Sequence, residues 1–444
     1  MSAMVVEQAA DERVRGGPGR RRFAFWLTGV ALLGLVVRVV YVLVIGRHLT
    51  LGFDAIWYEL QAGTVASGKG YVDPDSFYRF GHLVPTANFP PLWPIVLAVA
   101  DRLGLDTRTG FQLVGALLGT VTVVLAGLVG RRVQGSRVGL VTALIVACCP
   151  MLIAADGSLM SESLYVLLVT AAVVAAYRAL DRPTLLRFGL VGLLVGLAAL
   201  TRADALFLAP ILAVALAWRV RGPSTGRRLA LGAAVLGVCV VVMVPWIASR
   251  SSQMKTTVVM SSNSGSMLAG ANCPSTYGRR LLGAWDFDCT VGPAEAGGTE
   301  LDVAARSRTA GTQYARDHVG RLVLVGPARV LRVWGLWSPV DATRLEVIES
   351  RNERWQYLGW AYDLVVLGVA VPGTVLLVRR RAELAPMVAV VLAVIVTAAL
   401  SYGNQRFRLS AEPVVAVAAA TAAVTFGRQV WSTSMRATSP SRSR

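Results

Sequence analysis

The chain has 444 residues, 55% of them hydrophobic and 16% charged, with a formal net charge of +18. Soluble domains carry about 25% charged residues; here the deficit falls in apolar runs such as VGALLGTVTVVLAGLVG and LALGAAVLGVCVVVMV, separated by short bursts of arginine. Composition therefore excludes a soluble domain for the bulk of the chain, continuous rather than alternating runs exclude a β-barrel, and the positive charge belongs to cytoplasmic loops rather than to a nucleic-acid surface.

Each run approaches the roughly 20 residues that cross a bilayer as a helix, and a helix satisfies its own backbone in hydrocarbon. The pattern predicts an all-α polytopic membrane protein of about ten transmembrane helices. RGGPGRRR precedes the first, 24–46, which is too long for a signal-peptide core and lacks a small-residue cleavage site, so it is expected to stay in place. Arg20, Arg21 and Arg22 hold the N-terminus in the cytoplasm.

Residues 47–109 form a first outer loop. DAIWYELQAGTVASG reads as an interfacial helix with Trp57 and Tyr58 as anchors, and FPPLWPIVLAVADRLG as a re-entrant or surface helix, too short and Pro-rich to span. Helices then follow at 110–130, 137–155, 160–178, 188–201, 205–218 and 229–247. Residues 248–355, polar and rich in Gly, Ser and acids, read as a small extracytoplasmic domain. Helices at 357–378, 385–401 and 412–427 complete the bundle. The resulting divisions are a basic cytoplasmic tail (1–23), a catalytic transmembrane module (24–247), the outer domain, C-terminal helices (356–427) and a disordered cytoplasmic tail (428–444). Both termini fall inside, and every strong arginine burst shares their side except the outer QRFR pair. If FPPLWPIV spanned, the RRV and WRVRGP bursts would fall outside.

Of the five cysteines, Cys148, Cys149 and Cys239 lie in apolar segments. Cys273 and Cys289 lie close together in the outer domain, where an oxidising compartment favours a disulfide; a metal site is the alternative, but no second Cys or His pair accompanies them. No zinc, EF-hand or P-loop spacing occurs. No cofactor is expected; a divalent cation shared by Asp54, Asp73 and Asp75 is the alternative, against a plain turn at VDPDS.

Ionisable groups beside membrane segments are costly and mark function. On this topology Asp54, Arg79, Glu162 (SLMSESLY), Arg202 and Asp204 (LTRAD), and Arg406 and Arg408 (GNQRFRLSAEP) share the outer level. Bundle packing could gather them into one outward cavity. Carboxylates beside arginines suit sugar transfer from a lipid-linked phosphate: Arg presents a planar fork to the leaving phosphate, and a carboxylate takes the acceptor hydroxyl's proton. The simpler readings are snorkelling for Arg79 or Arg202, a helix-start charge for Glu162, and a helix cap for Asp54.

FDAIWYELQAGTVASGKGY, NFPPLWPIVLAVADRLG, LMSESLYVLL, GLLVGLAALTRADALFLAP and the ending RFRLSAEPVVAVAA occur in this order. With them the chain resembles the GT-C class of integral membrane glycosyltransferases, in its protein O-mannosyltransferase and lipid A aminoarabinose transferase branch. The resemblance implies that Asp54 is the catalytic acid of the first outer loop, that Arg406 and Arg408 lie near the donor phosphate, and that Glu162 and Arg202 support the cavity. Tyr58, Glu59, Arg79 and Asp204 complete the expected substrate-binding set. Many relatives carry paired acids after the first helix, where this chain has Asp54-Ala55, so Glu59 or Glu162 is the candidate second carboxylate.

The expected partners are a polyprenyl-phosphate sugar donor, an extracytoplasmic glycan, lipid or protein acceptor, and the bilayer, with no nucleic acid. The expected location is the cell membrane, multi-pass, with the active site outside. The competing functions are a lipid-linked sugar flippase or transporter, and a surface polysaccharide polymerase or ligase. A transporter would place its charges near the midplane in repeated broken helices.

Overall fold

A computed structural model describes residues 18–278 and 280–437; most of the expected N-terminal tail and the end of the C-terminal tail lie outside the described residues. The described residues are helical, with no strand beyond one isolated bridge between Val72 and Pro85. All ten expected membrane segments are helices, but they are not ten equal spans. Six are long and apolar enough to cross a membrane. These are α1 (Pro18–Val44), α5 (Arg108–Gln134), α8 (Glu162–Asp181), α11 (Thr225–Met254), α17 (Glu353–Arg379) and the last, α19 (Glu412–Ala437), counted with the turn before it. The helices α9 (Leu185–Thr201), α10 (Ala205–Arg219) and α18 (Ala385–Leu400) are apolar and shorter. Helix α19 also runs past residue 427, into what the composition suggested was a disordered tail.

The segment expected as one helix over 137–155 is two, α6 (Ser136–Cys148) and α7 (Pro150–Asp156), bent by 59°. Pro150 is the cause: it offers no N–H and disfavours helical backbone at the residue before it, and Cys149 is accordingly extended (φ −68°, ψ 111°). The bend turns the following residues, 157–161, into the interior, where Gln112 donates to the Gly157 carbonyl and Trp93 to that of Leu159. Helix α8 thus starts buried, with Glu162 fully enclosed.

Spans begin where side chains replace missing backbone partners. Thr107 caps α5, Ser224 caps α11 and Asn352 caps α17, each accepting from the amide three residues on. Tight crossings use small residues. A side chain at Gly373 of α17 would meet the Ala418 carbonyl of α19 at 1.8 Å. At one end of the bundle the loop arginines bind across helices: Arg132 to Asp181, Arg219 to Glu383 at 2.7 Å, and Arg380 to Gln134 at 2.9 Å.

The opposite end is built from the first loop and residues 255–352. The first loop holds α2 (Phe53–Ala66), α3 (Pro74–Phe80) and the short α4 (Leu92–Arg102). The later segment holds α12 (Ser264–Ala271), α13 (Asp288–Glu295), α14 (Glu300–Asp317), α15 (Leu322–Val333) and α16 (Pro339–Ile348). A disulfide joins Cys273 and Cys289. Glu300, at the start of α14, accepts from Thr86, the Ala87 amide and Ser262, so the later segment is fastened to the first loop.

Candidate active site

A close junction between these two regions lies beside Asp54. The Gly52 amide donates to Ser350 Oγ at 2.6 Å, and a Cβ at Gly52 would sit 2.2 Å from the Ile348 carbonyl. Gly52, not Asp54, is the N-cap of α2, so the capping reading of Asp54 is overturned: its carboxylate is free to face the interior.

There it meets Arg406. The Arg406 guanidinium is enclosed by three carboxylates: Glu349 at 2.7 Å, Asp54 at 3.6 Å and Glu162 at 3.6 Å. Glu162 is held by Arg202 Nη1 at 2.7 Å, and Arg202 in turn donates to Asp204 at 3.1 Å. The side chains of Glu162 and Arg406 are 1% and 9% exposed, whereas those of Asp54 and Glu349 are each 22% exposed. The cluster is therefore a cleft with a closed floor and an open lip. Burial, reinforced by the nearby Glu349 carboxylate and opposed by Arg406, pushes the Asp54 carboxyl up to about 7. Burial does the same to Glu346 of α16, also pushed up to about 7, with Arg351 opposing it. Tyr58 packs beneath Asp54 against Phe89, and burial followed by the Asp54 charge raises its hydroxyl.

Of the residues expected at the site, Asp54, Tyr58, Glu162, Arg202, Asp204 and Arg406 come together. Three do not. Arg79 is exposed and pairs with Asp75 within α3, at the spacing of an ordinary helix pair. Glu59 pairs with Arg108 at 3.3 Å. Arg408 is sealed away, binding Glu412 at 2.5 Å and Asp363, with 1% exposure. Its divergence from Arg406 is geometric. Gln405–Ala411 is a 3₁₀ helix, which turns about 120° per residue, so side chains two apart diverge by about 120°, which puts Arg406 among the carboxylates of the site and Arg408 inside the bundle.

The three acids considered for a shared cation are separately engaged. Asp73 caps α3 by accepting from the Ser76 amide, Asp75 binds Arg79, and Asp54 faces Arg406. Among the described residues the group spaced for a metal is Cys149, Asp363 and Glu412, and the Arg408 guanidinium already bridges its two carboxylates.

Several charged residues are not marked by the sequence motifs. Glu349 brings a further carboxylate to Arg406, beside Asp54 and the expected Glu162, and it lies nearly 300 residues after Asp54, just before α17. Arg38 binds Asp156 at 2.7 Å inside the bundle, and that pair lines a small cavity together with Glu162. Arg38 in LVVRVVYV and Asp363 in WAYDLVV each interrupt an apolar run, which is the signal that could have found them. Glu349 carried no such signal.

Residues 88–248 match the family model described as dolichyl-phosphate-mannose-protein mannosyltransferase. The match takes in Glu162, Arg202 and Asp204, while Asp54, Glu349 and Arg406 lie outside it. No curated protein sequence matches the chain. Among solved structures, the chain is similar to the archaeal oligosaccharyltransferase AglB from Archaeoglobus fulgidus, in complex with an inhibitory peptide and a dolichol-phosphate. The TM-score is 0.55 and the identity 13%, over 95% of this chain and 53% of that one. The apo form of the oligosaccharyltransferase from the same organism gives 0.56 at 15% identity, with the same coverage. ArnT from Cupriavidus metallidurans in the apo state matches at 0.43 and 15% identity, over 91% of this chain and 78% of that one. The chain spans about half the length of the oligosaccharyltransferases it matches. At such identities the likeness is one of fold, and that fold agrees with the GT-C resemblance read from the motifs.

Proposed function

We propose that the chain is an integral membrane glycosyltransferase that moves a sugar from a polyprenyl-phosphate donor to an acceptor hydroxyl on the outer face of the membrane. The observation that carries this reading is the partly open cleft in which the Asp54 carboxylate stands 3.6 Å from the Arg406 guanidinium, over a floor of Glu162 and Arg202.

The two groups match the two ends of the reaction. Asp54 takes the proton of the acceptor hydroxyl as its oxygen bonds to the anomeric carbon. The bond from that carbon to the phosphate oxygen breaks, and its electron pair leaves with the phosphate. Arg406, permanently charged and planar, holds that anion. A single displacement inverts the sugar carbon, which passes through an oxocarbenium-like state. The raised proton affinity of Asp54 suits it to this role, since a base poised near 7 is ionised at working pH and still accepts a proton. Arg202 holds Glu162 in place, and Glu162 faces the Nε edge of Arg406 at 3.6 Å as a nearby negative charge. A lipid tail brings the donor laterally through the bilayer, where no nucleotide sugar is at hand.

The test is mass spectrometry of polyprenyl-phosphate lipids in cells with and without the chain. The expected result is accumulation of one polyprenyl-phosphate sugar in its absence, reversed by the wild type and not by Asp54→Asn. Transport of the labelled lipid across vesicles without a glycosylated product would instead favour a flippase.

A further inference from the structure

Arg406 is the cation that the donor phosphate needs, and its best hydrogen bond is already made. Glu349 Oε2 accepts from Nη1 at 2.7 Å. Asp54 and Glu162, at 3.6 Å, stand beyond good hydrogen-bond reach, and Nε, which faces Glu162, makes no hydrogen bond. A phosphate at Arg406 would join three carboxylates already facing one guanidinium, and one of them must give way. Glu162 cannot, being buried and tied to Arg202. Asp54 sits on the first turn of a regular helix.

Glu349 can. It follows the end of α16, its side chain lies at the lip of the cleft, and Ile348 beside it is 69% exposed. Non-glycine residues with left-handed backbone bracket the segment, Ser338 (φ 43°) and Ser350 (φ 63°). Such conformations are held by their surroundings and release strain when those contacts change.

We propose that Glu349 is an internal competitor for the donor phosphate: its carboxylate holds the face of Arg406 that the lipid-linked phosphate takes, and the donor binds by displacing it. This rests on the donor reading above. The competition keeps a desolvated arginine paired, and it sets a threshold that weakly bound anions do not pass.

The experiment measures binding of undecaprenyl phosphate to the detergent-purified full chain as wild type, Glu349→Gln and Glu349→Ala, with melting temperature recorded for each. Removing the competing charge is expected to lower the Kd for undecaprenyl phosphate by about tenfold in both variants, and Arg406→Gln added to either is expected to abolish the gain. Inorganic phosphate titrated in parallel separates a lipid headgroup from the free ion; a gain with inorganic phosphate alone overturns the lipid assignment. Unchanged or weaker lipid binding by folded Glu349 variants, with normal binding by the wild type, overturns the competitor role alone. Absence of lipid binding by every protein, wild type included, overturns the donor reading itself.

Discussion

Arg406 and Arg408 are separated by one phenylalanine, yet they inhabit opposite kinds of environment. Arg406 faces a cleft with three carboxylates, one at 2.7 Å and two at 3.6 Å. Arg408 lies within the bundle, clamped between Asp363 of α17 and Glu412 of α19. One is over-supplied with acids it does not fully bind; the other has two and binds both. On the proposed function, the difference separates a charge kept for chemistry from a charge kept for architecture. Phe407 stands between them, its ring beneath the Arg202 guanidinium at 5.6 Å, so that the short 3₁₀ turn serves both sides at once.

Four substitutions or conditions sharpen that contrast, taken from the largest effect to the smallest. Asp54→Asn removes the proposed base and leaves the packing; turnover is expected to fall by about 10³-fold, with an unchanged melting temperature, in an assay of purified protein. Arg408→Gln leaves two buried carboxylates without their cation, and a loss of at least about 3 kcal/mol in stability is expected, read as a lower denaturation midpoint. Arg406→Gln should do the reverse: the fold persists, and undecaprenyl phosphate binding weakens by about 30-fold, the weight of a charge-assisted contact. If both arginine variants lost binding and stability alike, the division between the two would collapse.

The mildest probe is pH. The Asp54 carboxyl is raised to about 7, and a base works only when ionised. Turnover should therefore rise with pH through about 7 and fall about tenfold per unit below it. Since Glu349 contributes to the upward shift, Glu349→Gln should move that inflection to lower pH. An inflection that stays near an ordinary carboxylate value would remove Asp54 from the role of base.

Much of this was legible in the sequence because the bilayer imposes it. Apolar runs located helices at all ten expected segments, six of them long and apolar enough to cross a membrane, and the motifs SLMSESLY, LTRAD and QRFR brought Glu162, Arg202 and Arg406 to one end of the bundle. Two kinds of information stayed hidden. The first is direction within a short turn: QRFR offers two similar arginines, and only the 3₁₀ geometry decides which one faces the cleft. The second is long-range pairing. Nothing near Asp54 in sequence announces Glu349, because the acid is delivered by the docking of residues 339–351 on Gly52. Arg79 misled for the converse reason. Its place in the loop suggested the cavity, while a local partner four residues away satisfied it.

The Gly52–Ser350 contact joins residues 298 positions apart. In a chain inserted into a membrane from its N-terminus as it is made, helix α2 with Asp54 is synthesised long before the residues that complete its surroundings. Glu349 and Arg406 arrive only after most spans are in the bilayer. During translation the nascent protein thus carries its carboxylate without its cation, and assembly of the cleft is among the last events of biogenesis rather than a property of the N-terminal half. Chains halted before residue 349 should insert normally and still lack a finished cleft.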